Sequence, residues 1–115
     1  MGLKQQQSGM IAEQLASTFL QQRGLTELAK NYRCRLGELD LVMQDRDTLV
    51  FVEVRQRRDA RFGDALESID THKQHRIRKT AEHFLLHSTW AGACRFDVVG
   101  MDGKGKLHWI QSAFE

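Results

Sequence analysis

The sequence predicts an α/β fold, in which a mixed five-stranded sheet is flanked by helices in the chain order αβββαββ. Two segments carry apolar residues at helical spacing, and five others alternate apolar and polar residues or are rich in β-branched and aromatic side chains. The order of these segments implies a mixed sheet with helices packed against it. The 115 residues suffice for one compact core but not for two, so residues 1–115 are expected to form a single domain.

The first element is expected to be a helix between Ser8 and Gly24. Ser8 is a suitable N-cap and Gly24 a suitable C′ residue, which leaves residues 1–7 as a flexible start. One wide apolar stripe is expected along this helix, formed by Ile11, Ala12, Leu15, Ala16, Phe19 and Leu20. Glu13 falls at the margin of the stripe, just beyond Leu20, so its side chain can reach a site beside the core.

Three extended segments follow, at residues 27–35, 37–44 and 48–58, and they predict a three-stranded meander. Alternation along the third strand places Glu53 and Arg55 on one face, together with Leu49 and Phe51. The opposite face of that strand carries Val50, Val52 and Val54. A carboxylate at position 53 therefore sits among apolar neighbours.

Asp40 is a second acid in apolar surroundings, on the same face of its strand as Glu38 and Val42. A two-residue turn at residues 46–47 would place Asp40 directly opposite Glu53, with their β-carbons within roughly 5.5 Å. Two such carboxylates can hold Mg²⁺ or Mn²⁺, because these cations prefer oxygen ligands. The alternative is an internal network in which both acids pair only with arginines, namely Arg33, Arg35 or Arg55.

The remaining elements are a second helix and two strands. Asp70 is a suitable N-cap for a helix that ends near His87 and carries Ile77, Ala81, Phe84 and Leu85 on one face. Residues 94–101 and 107–111 are predicted strands, joined through a tight turn with positive φ at Asp102-Gly103. Asp97, in the fourth strand, is either a buried acid near the site or a partner for an arginine.

Charge is distributed unevenly, although the formal net charge is only +2. Basic residues outnumber acidic ones between Arg55 and Lys79, which indicates either a solvated loop and helix face or a surface that contacts phosphates. The candidate nucleic-acid contacts are Arg33, Arg57, Arg58, Arg61, Arg76 and Lys79.

The chain is expected to be cytoplasmic and to have no membrane partner, because it lacks both a secretory signal and an apolar run of roughly 20 residues. Cys34 and Cys94 are too few for a disulfide framework and are expected to be reduced. His83 and His87 have the i, i+4 spacing of zinc ligands, but no glutamate follows His83 as in HExxH. An exposed helix face is therefore favoured for these histidines.

Residues 37–42, Gly-Glu-Leu-Asp-Leu-Val, and 51–55, Phe-Val-Glu-Val-Arg, resemble the PD…(D/E)xK nuclease signature. From about Gly9 to the C-terminus the chain also resembles the YraN-type family of bacterial proteins. That wider resemblance rests on these two segments together with Asn31, Arg33, Gly63, Lys73, Ala81 and residues 95–99.

The YraN-type family is similar to archaeal Holliday-junction resolvases, so the resemblance implies a restriction-endonuclease-like fold. It also implies that Asp40 and Glu53 are metal ligands and that Glu13 is the acid from the first helix that completes the site. One position departs from the signature, because Arg55 stands where a lysine is expected. Lysine can orient or deprotonate the attacking water, whereas arginine stays charged and contributes only electrostatics.

Lys73 could substitute for that lysine, because it lies one turn before Ile77 on the inward face of the second helix. The alternative is a lysine whose stem packs on the protein and whose ammonium reaches solvent.

Three hypotheses follow for function. The first is a Mg²⁺- or Mn²⁺-dependent endonuclease acting on DNA, including branched or repair intermediates, with Asp40, Glu53, Arg55, Glu13 and Lys73 as its catalytic residues. The second is a non-catalytic DNA-binding or repair-accessory module with a degenerate nuclease site. The third is a protein-interaction domain whose acids and arginines form only internal ion pairs. The sequence leaves open whether the protein forms a homodimer.

Overall fold

The residues that the structure describes form two helices and five strands, and the predicted order αβββαββ is confirmed. The structure is a computed structural model that describes residues 3–56 and 67–115. Its elements are α1 (Leu3–Gln22), β1 (Thr26–Cys34), β2 (Gly37–Asp45), β3 (Thr48–Gln56), α2 (Thr71–Leu86), β4 (Ala93–Met101) and β5 (Leu107–Phe114). The strands lie side by side in the order β1-β2-β3-β4-β5, and the sheet is mixed because β3 and β4 are parallel. Neither helix in the described part of the chain is long and apolar enough to cross a membrane.

The start of α1 differs from the prediction. The helix begins at Leu3, so Ser8 is an interior residue rather than an N-cap, and residues 3–7 are helical rather than a separate leading segment. The physical reason is that the lysine and glutamines before Ser8 are good helix formers, and serine costs little inside a helix.

The end of α1 is as predicted, because Gly24 adopts a φ of 97° that favours glycine. The Leu25 N–H donates to the Leu20 carbonyl and the Gly24 N–H donates to the Gln21 carbonyl. These two bonds form a Schellman cap, which satisfies helix carbonyls that would otherwise lack donors.

The apolar stripe of α1 is narrower than predicted. Ala12, Ala16 and Leu20 are buried against the sheet, but Ile11 and Leu15 are 59% and 47% exposed. One helix lying on a sheet contacts it through a single line of residues, so the flank of the stripe stays in solvent.

The predicted alternation along β3 is confirmed and divides the core into two layers. Val50 and Val52 pack with the α1 side of the sheet. Leu49 and Phe51 pack on the other side, against α2. Glu53 follows Phe51 in the alternation, so it belongs to the α2 face.

The β2–β3 register is also confirmed. Leu41 pairs with Val52, and the ladder runs regularly to a two-residue turn at Arg46-Asp47. Arg46 has a φ of 55°, the positive value that tight hairpin turns need at a central position. Continued in the same register, the ladder brings Asp40 beside Glu53.

The connection from β3 to the parallel strand β4 contains α2. Asp70 is its N-cap, as predicted, and its side chain accepts the Lys73 N–H at 2.8 Å. His87 is its C-cap. The last strand continues past residue 111 to Phe114, which pairs with Phe96.

The turn before β5 differs from the predicted positive-φ turn at Asp102-Gly103. The positive φ, 82°, falls at Gly105, while Asp102 has an ordinary negative value. The Asp102 carboxylate instead closes the loop by accepting the N–H groups of Lys104 and Lys106. A side-chain bond therefore shapes this turn as much as its glycines do.

Candidate functional site

The β2–β3 ladder opens at Asp40. Regular pairing ends at Leu41 and Val52. Beyond it, the Asp40 carboxylate accepts the Val54 N–H at 2.8 Å, so a side-chain oxygen bonds an N–H of the neighbouring strand. The Asp40 N–H in turn points to Glu53 Oε2 at 3.5 Å. Each acid is thus held by the main chain of the other acid's strand.

The β1 side of Asp40 is irregular as well. Pairing with β1 is present at Leu39 and at Leu41 but skips Asp40 and the facing Asn31. Asn31 has a φ of 52°, in the left-handed region that asparagine tolerates better than most residues. Both strands are therefore distorted where the two residues meet.

This distortion breaks the alternation of β2. Leu39 packs with the α2 core cluster, whereas Leu41 packs with the α1 core cluster. Val42 joins the α2 cluster and Met43 the α1 cluster, so regular alternation holds from Leu41 onward and is broken only between Leu39 and Leu41. Asp40 stands where the strand changes face, and it can reach groups in both layers.

Glu13 of α1 reaches Asp40 from the α1 side of the sheet. Its carboxyl hydrogen-bonds with Asn31 and with the Asp40 carboxyl. Burial, and after it the charge of Asp40, raise the pKa of Glu13 to about 7. Glu13 is therefore protonated for much of the time near neutral pH and can donate a hydrogen bond to Asp40.

Glu53 is the most deeply buried of the three acids, with 6% of its surface exposed. Burial, and after it the charge of Asp40, raise the pKa of Glu53 to about 8. Burial also raises the pKa of Asp40, against the Val54 N–H and Arg55, which both lower it. The three carboxyl groups thus form one electrostatically strained set at the opening of the ladder.

A cleft of about 320 Å³ lies over Asp40 and Glu53 on the α2 face of the sheet. Cationic side chains line the same cleft, namely Arg55 from β3 and Lys73 and Arg76 from α2. Carboxyl groups that can bind a cation and cationic side chains that can bind an anion therefore line the same cleft.

Arg55 lies where the sequence places it, beside Glu53. Its Nη2 atom is 3.5 Å from Glu53 Oε1. Its Nε atom is buried and makes no hydrogen bond within the part of the chain that the structure describes. The guanidinium thus partly compensates the buried charge of Glu53.

Lys73 lines the cleft but does not bind either acid. Its Nζ atom donates to the Ser68 carbonyl at 3.1 Å, and the side chain is exposed. Lys73 therefore lines the cleft while its ammonium is held by the main chain of residue 68 and not by the acids.

The donor set fits a hard divalent cation in its chemistry, because all three groups are carboxyls whose mutual repulsion a cation would relieve. Their present spacing does not form a ready cage. Among residues 3–56 and 67–115, no three acidic, histidine or cysteine side chains are placed to hold a metal ion together. The hydrogen bond between Glu13 and Asp40 and the contact of Arg55 with Glu53 satisfy the acids instead.

The predicted nucleic-acid contacts divide into three groups. Arg76 lines the cleft. Arg33 and Lys79 are exposed and make surface ion pairs with Glu38 and Glu82, at 3.5 and 3.7 Å. The other three candidates, Arg57, Arg58 and Arg61, lie outside the described residues.

Asp97 is a structural acid on the far side of the sheet. It pairs in the ladder with Val52, whereas Glu53 pairs with Val98, so the two acids face opposite layers. Its buried carboxylate accepts hydrogen bonds from Arg95, Trp109 and the Ser112 main chain, at 2.9 to 3.2 Å. Of the two roles that the sequence allowed, the partner of an arginine is the one observed.

His83 is tied to the fold rather than free on a helix face. Its Nδ1 atom shares a hydrogen bond with the Tyr32 hydroxyl, and its ring stacks on His87 at a centroid distance of 4.4 Å. Sequence reasoning missed this contact, as it missed the bond of Asn31 with Glu13. Nothing in the spacing of residues so far apart along the chain could have indicated either contact.

Comparisons with known proteins give one consistent result. A family model described as "Uncharacterised protein family UPF0102" matches residues 12–101. Three relatives that carry the name UPF0102 protein are similar over nearly their whole length. They come from Nitrosomonas eutropha (50% identity, 93% of this chain and 92% of the relative), Pseudomonas syringae pv. syringae (49%, 96% and 94%) and Stutzerimonas stutzeri (52%, 96% and 96%).

Proposed function

Because this chain belongs to the uncharacterised protein family UPF0102, the YraN-type family, we propose a function from the chemistry of its site. The protein hydrolyses phosphodiester bonds in DNA, with Mg²⁺ or Mn²⁺ as cofactor. One observation carries the proposal: carboxyls from α1, β2 and β3 meet where the β2–β3 ladder opens, and cations line the cleft over two of them, Asp40 and Glu53.

Asp40 and Glu53 would hold the metal ion, and Glu13 would complete the site once it loses its proton. When bound, the ion supplies a water of lowered pKa and stabilises negative charge on the phosphate oxygens. The Val54 N–H donates to one oxygen of the Asp40 carboxylate and so fixes its orientation. Asp40 would therefore not have to change rotamer to bind the metal ion.

Arg55 has an electrostatic role in this proposal. It remains charged at any working pH and therefore cannot take a proton from water. At 3.5 Å from Glu53 it would leave that carboxylate when a metal ion binds and turn to the phosphate in the same cleft. Arg76 would contact a neighbouring phosphate, and Lys73 can swing inward from the rim.

Cleavage of linear and branched DNA with Mg²⁺ or Mn²⁺ tests the proposal. Asp40→Asn should reduce the metal-dependent rate by at least about a hundredfold, because it removes a ligand charge. Asp47→Asn changes an exposed acid of the same hairpin and should leave the rate unchanged. Equal cleavage by wild type and Asp40→Asn would assign the activity to something other than this site.

A second function is favoured by a different observation. The acids are already satisfied without metal, through the Glu13–Asp40 hydrogen bond and the contact of Arg55 with Glu53. A DNA-binding module that does not cleave DNA would need no metal ion at these acids. Salt-sensitive DNA binding without cleavage in Mn²⁺ would favour this second function. Absence of both DNA binding and cleavage would exclude the nuclease function as well as the binding function.

A further inference from the structure

The β1–β2 hairpin ends in an apolar tip. Cys34 pairs with Gly37, and only Arg35 and Leu36 lie between them. Leu36 is 46% exposed. Tight turns ordinarily carry glycine, asparagine or aspartate, so a large apolar side chain at this point is not explained by the turn itself.

The hairpin packs closely against α2 near its tip. Gly37 has a φ of 153°, and a β-carbon there would lie 2.7 Å from the hydroxyl of the buried Thr80. Two residues before Cys34 in β1, the Tyr32 ring packs edge-on against Phe84 at a centroid distance of 5.1 Å. The Tyr32 hydroxyl forms a hydrogen bond with His83. A hairpin held at both points presents Leu36 on a rigid support.

The tip is flanked by cations and adjoins the cleft. The side chain of Arg33 is 74% exposed. Arg35 is exposed and forms no ion pair with any residue that the structure describes. Gly37, next to Leu36 in the chain, lines the cleft with Asp40. At about 3.4 Å per residue, Leu36, just before β2, lies roughly 14 Å from Asp40.

We propose that Leu36 is a wedge that enters DNA between base pairs, a few steps from the phosphate held at Asp40, while Arg33 and Arg35 contact the backbone. This inference rests on the proposed function and names its substrate class, which is duplex DNA interrupted by a nick or a short gap. Apolar side chains inserted between base steps must unstack them, and that free energy is smallest where stacking is already interrupted. An apolar tip beside these cations fits this surface better than it fits an apolar partner protein, which would leave Arg35 without an anion.

Binding to an intact and a nicked duplex of equal length and sequence tests the wedge, measured in EDTA so that no cleavage occurs. Wild type should prefer the nicked duplex by about tenfold. Leu36→Ala should bring that ratio close to one, while the slope of affinity against salt stays the same, since the phosphate contacts remain. Leu36→Met, which keeps an apolar side chain of similar volume, should restore the preference.

Leu28→Ala is the matched control. Leu28 is also 46% exposed and lies in β1 near the opposite end of the hairpin, so it should leave the ratio unchanged. 2-Aminopurine beside the nick should brighten with wild type and Leu36→Met but not with Leu36→Ala.

An unchanged ratio in Leu36→Ala would overturn the wedge, as would an equal loss in Leu28→Ala. Neither result would affect the proposed function, which metal-dependent cleavage and its loss in Asp40→Asn test separately. A wild-type protein that bound neither duplex at low salt would refute both proposals.

Discussion

Removing the buried charge of Glu53 should make the protein more stable in alkaline solution. Its pKa is raised from 4.5 to about 8, chiefly by burial. A raised carboxyl pKa means that the folded state favours the protonated form. The stabilisation from that proton is complete below pH 4.5 and is lost as the pH rises through 8. Glu53→Gln keeps the shape of the side chain and removes the charge.

The magnitude follows from the same shift. Each pKa unit corresponds to about 1.36 kcal/mol, so ionising Glu53 in the fold lowers the free energy of unfolding by an amount on the order of 5 kcal/mol, part of it shared with Asp40. Glutamine leaves Arg55 without its carboxylate partner, which gives back about 1 to 3 kcal/mol. At pH 9, Glu53→Gln should therefore be more stable than wild type by about 2 to 4 kcal/mol.

Urea unfolding at pH 5, 7 and 9 without divalent metal measures this difference. The midpoint of Glu53→Gln should change less with pH than that of wild type, with the same dependence on urea. Glu82→Gln is the control. The Glu82 side chain is 63% exposed, so removing its charge should not change how the urea midpoint depends on pH. A Glu53→Gln protein that unfolds at a lower urea concentration than wild type at pH 9 would refute the reasoning.

Two other outcomes are expected. Mn²⁺ affinity measured by calorimetry should rise between pH 6 and pH 8, because Glu13 and Glu53 lose protons near 7 and 8, and Glu13→Gln should make that rise shallower. An affinity that stays flat over this range would exclude both acids as ligands. Asp97→Ala should lower the free energy of unfolding by about 3 to 5 kcal/mol in urea, since it takes away the buried acceptor of the Arg95 Nε and Trp109 Nε1 donors. Unchanged stability would contradict the structural role of Asp97.

The β2–β3 register was predictable because a short turn leaves only one pairing that keeps the apolar faces together. Residues of β3 alternate strictly between the two core layers, and the turn at Arg46-Asp47 has the shortest common hairpin length. Asp70 was predictable for a similar reason, because an N-cap acts within its own first turn. In each of these cases the determining interactions are local in the chain.

The surroundings of Asp40 were not predictable in this way. The left-handed conformation of Asn31 and the change of face between Leu39 and Leu41 depend on two strands meeting a helix. Asn31 adopts that conformation while its side chain bonds to Glu13, a residue far away in the sequence. Alternation rules assume a regular ladder, so they fail where the ladder opens.

The opening of the ladder and the acidity of the site are linked by the same atoms. A regular antiparallel pair would use the Val54 N–H for a main-chain carbonyl and would leave the Asp40 carboxylate buried without a donor. The distortion frees that N–H for Asp40 and brings the acid within reach of Glu13 in one layer and of the cleft in the other. A sheet with perfect alternation would confine the side chain of Asp40 to a single layer. The irregularity is thus the feature that lets three acids from three elements converge, and any substitution that restores a regular pair at Asn31 and Asp40 should separate Glu13 from the other two.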